Sequence, residues 1–243
     1  MITSIKDIQK RHYDLIAEKY IKRIHKKSYN YYFEFTKKVI IESLKNYFEE
    51  FYKCKGLDIG CGNGNLTATI KEVCSRMTGI DISKGMISLA KKTYKSKKLK
   101  FITSSSDKLK FRDSEFDFSI IVHLLHHLVE KKIIENTILE MKRVTKEKGL
   151  IIIVDVNKLN PFSVLIQYLM FKRGVDSGKE KLVWPQTIIK LFKTHGIKTI
   201  KYKGFCLIPH FFPKLKKYNR LLEKTFLNKI MGKDYIVVGQ VIK

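Results

Sequence analysis

Between residues 55 and 156, short apolar runs alternate with stretches of helical periodicity, and this alternation decides the fold class. The runs "GLDIG" (56–60), "MTGID" (77–81), "LKFITSS" (99–105), "FDFSIIVHLL" (116–125) and "GLIIIVDV" (149–156) read as strands. "LTATIKEVCSR" (66–76), "KGMISLAKKTY" (84–94) and "KKIIENTILEMKRVT" (131–145) carry apolar residues at helical spacing. Parallel strands need a long crossover, and a helix supplies it. The pattern therefore predicts an α/β fold built on a doubly wound parallel sheet. The unbroken apolar run in 149–156 suits a central strand covered on both faces.

The flanks have a different texture. Residues 5–50 read as helical, with Ile5, Ile8, Tyr13, Ile16, Tyr20 and Ile24 at spacings of three to five. After residue 156 come an apolar stretch (161–171), a helix opened by Pro and closed by Gly (185–196), a strand (197–205), a loop leading into a helix (208–226) and a last strand (234–242). With 243 residues, one sizeable domain is expected over 1–243. It divides into a helical cap (1–50), a ligand-binding core (55–156), and a substrate-side insertion with the last strands (157–243). There is no uninterrupted apolar run of the roughly 18 residues a membrane span needs, and the N-terminus lacks a signal-like apolar core. A cytoplasmic protein is expected. Cys54, Cys61, Cys74 and Cys206 form no CxxC pair and no cluster with His, so neither a disulfide framework nor a metal site is expected.

The net charge is +26, from 49 basic and 23 acidic residues. Such a balance suits an anionic partner: nucleic acid, an acidic lipid surface or a phosphorylated substrate. Against this, the cations are mostly Lys, spread along the whole chain, as a compositional bias would leave them. Arg, whose bidentate fork serves specific nucleic-acid readers, is sparse.

"LDIGCGNGN" (57–65) places Gly60, Gly62 and Gly64 after the first strand. Open α/β sheets bind ligands at this edge, where glycines let the backbone approach closely. A dinucleotide loop wants G-x-G-x-x-G, and the spacing here differs. Asp58, two residues before Gly60, argues further against a pyrophosphate. Two unit charges ~4 Å apart repel by about 4 kcal/mol at an effective dielectric of about 20. A carboxylate there suits a cation, such as the ammonium and sulfonium of S-adenosylmethionine, whose own carboxylate would find the loop N–H groups. Asp81 ends the second strand, placed to accept from both ribose hydroxyls. Asp107, just after the third strand, can accept from an adenine amine. The three acids follow one ligand from amino acid through ribose to base.

These residues resemble the class I S-adenosylmethionine-dependent methyltransferases. "LDIGCGNGNLT" resembles the first motif of that family, "GIDISKGMISLAKK" its second-strand segment, "SSSDKLKFRDSEFDFSIIVHLLHHL" its third-to-fourth-strand segment, and "EMKRVTKEKGLIIIVD" the approach to strand five. Lys110 stands where Pro is usual, and Glu147-Lys148 replace Pro-Gly. "RHYDLIAEKY" is similar to the lead-in of ubiquinone and menaquinone methyltransferases. The resemblance implies a Rossmann-like, seven-stranded sheet with the last strand antiparallel. It also implies that Asp58, Gly60, Cys61 and Gly62 line the methionine end, that Asp81 and Ile82 hold the ribose with Met86 packed nearby, and that Asp107 and Lys108 bound the adenine. Val122 and His123 would lie beside the reactive methyl, and Tyr13 and Tyr20 would close a lid.

A general base helps only an acceptor that must lose a proton. His123, His126, His127 and His210 are the candidates, with His126-His127 just past strand four. The position reads "VHLLHH" rather than N/D-P-P-[YF], which argues against exocyclic or amide nitrogen. "NPFSVLIQYLMF", with Phe205, Phe211 and Phe212, could build an apolar acceptor pocket or lie on a membrane surface. The reading favoured is methyl transfer to O, N or C of a small or lipid-like acceptor. A tRNA or rRNA methyltransferase and a non-catalytic binding protein are the alternatives; the oligomeric state is left open.

Overall fold

A computed structural model describes residues 4–24, 27–208 and 218–243, with the side chains of 18–24, 27–32 and 220 outside the description. His210, Phe211 and Phe212 lie outside the described residues, as does the side chain of Tyr20.

The described residues form one seven-stranded sheet. Its strands are β1 (Lys55–Ile59), β2 (Arg76–Asp81), β3 (Leu99–Thr103), β4 (Phe116–Val122), β5 (Thr145–Val156), β6 (Ile197–Phe205) and β7 (Asp234–Val241), in the spatial order β3-β2-β1-β4-β5-β7-β6. The pairs among β1 to β5 are parallel, and β7 runs antiparallel to both β5 and β6. The expected α/β architecture with a reversed last strand is what the chain adopts. Strand order turns back between β1 and β4, so their carboxyl ends frame the crevice where such sheets take ligands.

Alternation along the strands divides the core. Leu57, Ile59, Ile121, Ile151, Ile153 and Val237 face one side, packed with Ile134, Ile138 and Met141 of α5 (Lys131–Val144) and with Ile188 and Phe192 of α7 (Pro185–Thr194). Met77, Phe118, Ile120, Ile152, Val154 and Val238 face the other, under Ile40 and Leu44 of α2 (Lys27–Lys45) and Ile70 of α3 (Asn65–Lys71). Both faces are covered, which is why residues 150–154 are apolar without interruption and fully buried.

Three element boundaries differ from the sequence reading. The helix after the glycine loop stops at Lys71, because the chain must turn to enter β2 at Arg76. β4 stops at Val122 rather than at 125: His123 takes φ +54°, turning the chain out of the sheet into a short 3-10 turn, Leu125–His127. β5 starts early, at Thr145, pairing with Phe116 across an irregularity in the β4 register. In the segment read as a loop leading into a helix (208–226) lies a short helix, α8 (Tyr218–Leu222), and a second one follows it, α9 (Phe226–Met231), capped by the Thr225 hydroxyl.

The remaining helices are α4 (Lys84–Thr93), α6 (Pro161–Lys172) and α1 (Ile5–Ile24). α4 begins behind Ser83, whose hydroxyl accepts from Met86 N. α6 opens on Pro161 with the Asn160 side chain as its cap. α1 lies across the carboxyl edge. Its Asp14 carboxylate accepts from Ser83 Oγ at 2.6 Å and from Gly85 N at 2.9 Å, pinning α1 to the start of α4. Gly85 eases this approach, since a Cβ there would sit 3.1 Å from Asp14 O and 3.2 Å from Ala17 Cβ, and α1 would have to give by a few tenths of an ångström. Among the described residues no helix is long and apolar enough to cross a membrane. All four cysteines are buried and reduced.

Candidate active site

A cavity opens at the carboxyl ends of β1, β2 and β4. Its wall includes Asp58, Gly60, Cys61, Gly62, Asp81, Ile82, Met86, Val122, His123, His127 and Tyr13. Most residues singled out from the sequence are thus brought to one place.

The glycine loop differs from expectation in one respect. Its amides were expected to point at a ligand carboxylate. Instead Gly60 N and Cys61 N donate to Ile80 O at 2.8 and 2.9 Å, Gly62 N donates to Asp81 Oδ2 at 2.9 Å, and Gly64 N donates to Cys61 O at 2.9 Å. The loop is strapped to β2 from behind. Gly60, Gly62 and Gly64 all have positive φ, and a Cβ at Gly62 would meet nothing within 4 Å. That position faces open cavity, where a ligand can lie against bare backbone. The Cys61 side chain packs with Ile87, Ala90 and Phe101, and burial pushes its thiol well above the ordinary range. It is an inert wall residue.

Asp58, buried, and Asp81, half-buried, are the two aspartates of the wall. Thr67 Oγ1 donates to Asp58 Oδ2 at 2.6 Å. Burial, partly offset by that hydrogen bond and aided by the charge of Asp81, pushes the Asp58 carboxyl up to about 7. Asp81 is raised by burial too, and its two oxygens accept from Gly62 N and Ser83 N, each at 2.9 Å. A buried acid whose ionised form is disfavoured is a receptor for a cation or a hydroxyl donor. The donor set thus fits S-adenosylmethionine, which brings an ammonium, a sulfonium and a ribose diol.

Asp107 and Lys108 stand outside this wall. Asp107 accepts from Lys6 Nζ at 2.8 Å and from Ser105 Oγ. Burial would raise its carboxyl, but these two partners hold it below the usual range. Lys108 is exposed. The turn after β3 presents Ser104, Ser105 and Ser106 to the cavity instead.

The three candidate histidines that are described divide by environment. His123 lines the cavity with its side chain 25% exposed, Nε2 4.0 Å from Asp234 Oδ1, and burial lowers it to about 4. Its left-handed backbone is strained for a non-glycine residue and sits at the cavity edge. His126 faces away, buried, with Nδ1 2.5 Å from Asp155 Oδ1. Burial opposes its charge, but Asp155 outweighs this and raises its pKa; Asp155 is correspondingly lowered by His126 against its own burial. His123, His126 and Asp155 bring one donor atom each within 4.8 Å of one another, a grouping the sequence did not announce, with His126 and Asp155 hydrogen-bonded to each other. His127 lines the cavity and is lowered to about 4 by burial and by the charge of His126. It is neutral at pH 7, with a lone pair to offer.

Sequence reasoning missed Asp14, Lys6, Thr67, Asp155 and Glu180. Asp14, Thr67 and Asp155 lie within segments quoted above for other reasons, Lys6 and Glu180 within none, and each meets its partner through tertiary approach.

A sheet with a reversed last strand, a glycine loop at its switch point and acids at successive strand ends define an S-adenosylmethionine-binding methyltransferase fold. Residues 57–153 match the family model described as "Methyltransferase domain". Over 157 residues the chain is 29% identical to the ubiquinone biosynthesis O-methyltransferase of Pelagibacter ubique, covering 62% of this chain and 64% of that one. It is 35% identical over 150 residues to an uncharacterized protein of Methanocaldococcus jannaschii, covering 61% and 67%. The chain thus spans about two thirds of the length of these curated relatives. Among solved structures, an S-adenosylmethionine-dependent methyltransferase of Thermotoga maritima superposes with a TM-score of 0.64 at 16% identity, over 96% of this chain and 99% of that one, and shares the fold. The chain belongs to the class I S-adenosylmethionine-dependent methyltransferases.

Proposed function

We propose that the protein transfers the methyl group of S-adenosylmethionine to a small or lipid-like acceptor with an apolar body. The observation that carries the acceptor class is the outer face of α6. Phe162, Val164, Leu165, Tyr168 and Phe171 of this one twelve-residue helix are exposed. Apolar surface gathered in this way marks a binding face. The segment after α6 reaches the turn that carries His127: Lys181 N donates to His126 O at 2.8 Å, and Glu180 approaches His127. Two relatives support the reading by name, the ubiquinone biosynthesis O-methyltransferase above and a sterol 4-C-methyltransferase of Caenorhabditis elegans, 26% identical over 44% of this chain and 32% of that one.

The cofactor supplies an electrophilic methyl group. The chain's work is to hold, align and dry the site. In this reading Asp58, Gly60 and Gly62 hold the amino-acid end, and Asp81 and Ile82 the ribose, with Met86 against it. Ser105 and Ser106 take the adenine edge expected of Asp107 and Lys108. Val122 and His123 border the reacting end, and Tyr13 closes it. The test is transfer of labelled methyl from S-adenosylmethionine to lipid, small-molecule and RNA fractions. Label in the lipid or small-molecule fraction is expected. Label confined to RNA would replace this reading with the nucleic-acid one that the +26 charge suggests. Absence of label from every fraction would leave a binding protein.

Asp58 makes cofactor binding depend on pH. A ligand cation beside Asp58 favours its ionised form, so at pH 6 binding expels the proton the free carboxyl holds with its pKa near 7. Affinity should therefore tighten as pH rises to about 7 and level off above it. Calorimetry at pH 6 in two buffers of different protonation enthalpy should show close to one proton released, and none in Asp58→Asn. Equal release in both proteins would move the cation elsewhere.

We further propose that the α6 face rests on an anionic lipid surface. Lys172 Nζ lies 5.6 Å from the Tyr168 ring and Lys158 Nζ 5.4 Å from the Trp184 ring, a basic and aromatic fringe beside the apolar side chains. Phosphatidylglycerol vesicles should carry the protein down on sedimentation. Leu165→Ser with Phe162→Ser should weaken this by about tenfold or more, taking ~1 kcal/mol for each side chain only partly buried. Equal sedimentation of parent and variant would remove the surface from consideration.

A further inference from the structure

Three segments far apart in sequence converge on the His127 ring. Tyr13 of α1 places its hydroxyl 3.3 Å from Nε2. Glu180, from the segment between α6 and α7, places Oε1 3.4 Å from Nδ1, at ion-pair distance but outside hydrogen-bond geometry. The ring itself sits in the turn after β4, at the cavity wall. Glu180 is not a loose surface acid. Its side chain is 1% exposed, and Oε1 accepts from Ser177 N at 2.8 Å and from Ser177 Oγ at 2.7 Å. The segment is anchored on both sides, by Lys181 N to His126 O at 2.8 Å and by Val175 O facing His12 Nε2 at 3.0 Å.

A carboxylate on the Nδ1 side of a neutral imidazole draws the ring proton to Nδ1. The lone pair is then on Nε2, the atom turned to Tyr13 and the cavity. This division of labour is how a buried acid makes a histidine into a base without taking the proton itself. The Tyr13 hydroxyl occupies the place an acceptor hydroxyl would take.

We propose that Tyr13, His127 and Glu180 form an acid–base chain that removes the proton from an acceptor hydroxyl during methyl transfer, with Glu180 as the positioning residue for His127. The inference rests on the methyl-transfer reading above and narrows its acceptor to an alcohol or phenol. As the acceptor oxygen forms its bond to the methyl carbon, the carbon–sulfur bond breaks and its electron pair stays on sulfur. The hydroxyl proton passes to His127 Nε2, directly or through the Tyr13 hydroxyl. The resulting imidazolium faces the Glu180 carboxylate until the proton leaves to water. An amine acceptor, which attacks through an existing lone pair, has no need of this chain.

The test has a readout that needs no acceptor. In the full chain labelled with 15N-histidine, the His127 signals are those missing from His127→Asn. The neutral ring should carry its proton on Nδ1. Glu180→Ala should shift the population toward Nε2–H, and Glu180→Gln, which keeps an acceptor oxygen, should hold the Nδ1–H form. In the labelled-methyl assay, His127→Ala should lower kcat by roughly a hundredfold and Glu180→Gln by about tenfold, with KM for S-adenosylmethionine unchanged. A proton on Nε2 in the parent, or a tautomer indifferent to Glu180→Ala, overturns the proposal, as does full activity in Glu180→Gln. Calorimetric binding of S-adenosylmethionine to the same proteins keeps the two readings apart. Its absence in the parent would defeat the methyl-transfer reading, while the tautomer would still judge the chain.

Discussion

Asp81→Ala should weaken S-adenosylmethionine binding by about 10²–10⁴-fold while the fold persists. Its carboxylate is the acidic group at the end of β2, where two ribose hydroxyls can each donate to a charged acceptor. Such bonds contribute about 1.5–3 kcal/mol each, and about 1.4 kcal/mol is tenfold in affinity. The same oxygens accept from Gly62 N and Ser83 N, so the substitution also frees the glycine loop from β2. Adenosine separates the two effects. It carries the ribose but no amino-acid end, so loss of the diol contact weakens adenosine and S-adenosylmethionine alike. Loop release alone would spare adenosine. Calorimetry on both ligands, with circular dichroism to show the retained fold, decides. Unchanged affinity for both would remove Asp81 from the ribose site.

Asp155→Ala should cost about 3–5 kcal/mol of stability, because it strands the buried His126 ring and two backbone amides, His126 N and Val156 N. For a chain of this size that lowers the melting temperature by roughly 6–20 °C. Asp155→Asn keeps an acceptor oxygen and should cost less. The pH dependence has a definite sign. The Asp155 carboxyl is lowered from 3.8, so its contribution is complete above that value and fades as pH falls below it. His126 is raised from 6.5, so its contribution is complete below 6.5 and fades as pH climbs through the folded value. The parent should lose stability on the acid side below about pH 4, and Asp155→Ala should lack that step. Equal acid sensitivity in both proteins would mean that the pair does not anchor the 125–127 turn.

What could be read in the sequence was whatever depends on short spacing. Asp58 and Asp81 stand at strand ends, two residues before a glycine and at the close of an apolar run. A strand and the turn after it determine where such a residue points, so both reached the cavity wall. The antiparallel last strand came from family resemblance. Spacing along one strand carries no information about the direction of its neighbour. Asp107 was read correctly as a residue at the β3 turn, but not its capture by Lys6, 101 positions away. The paired histidines looked equivalent side by side. Only the packing of β5 against the turn gives His126 to Asp155 and leaves His127 to the cavity. Glu180, in a stretch without regular periodicity, had no local signature at all. The loop amides were misjudged for a related reason: a glycine-rich turn announces free backbone, and the neighbouring strand had already claimed it.

α1 is fastened at three separate points around the cavity. Lys6 reaches the turn after β3, Asp14 the start of α4, and His12 the segment that carries Glu180. Ile5, Lys6, Gln9 and Tyr13 of the same helix form part of the wall. To open the cavity on this side, one helix must undock from an ion pair, a carboxylate cap and a carbonyl contact. Loosening that helix at Lys6 or Asp14 is expected to speed ligand exchange, and loosening it at His12 would also release the segment that carries Glu180.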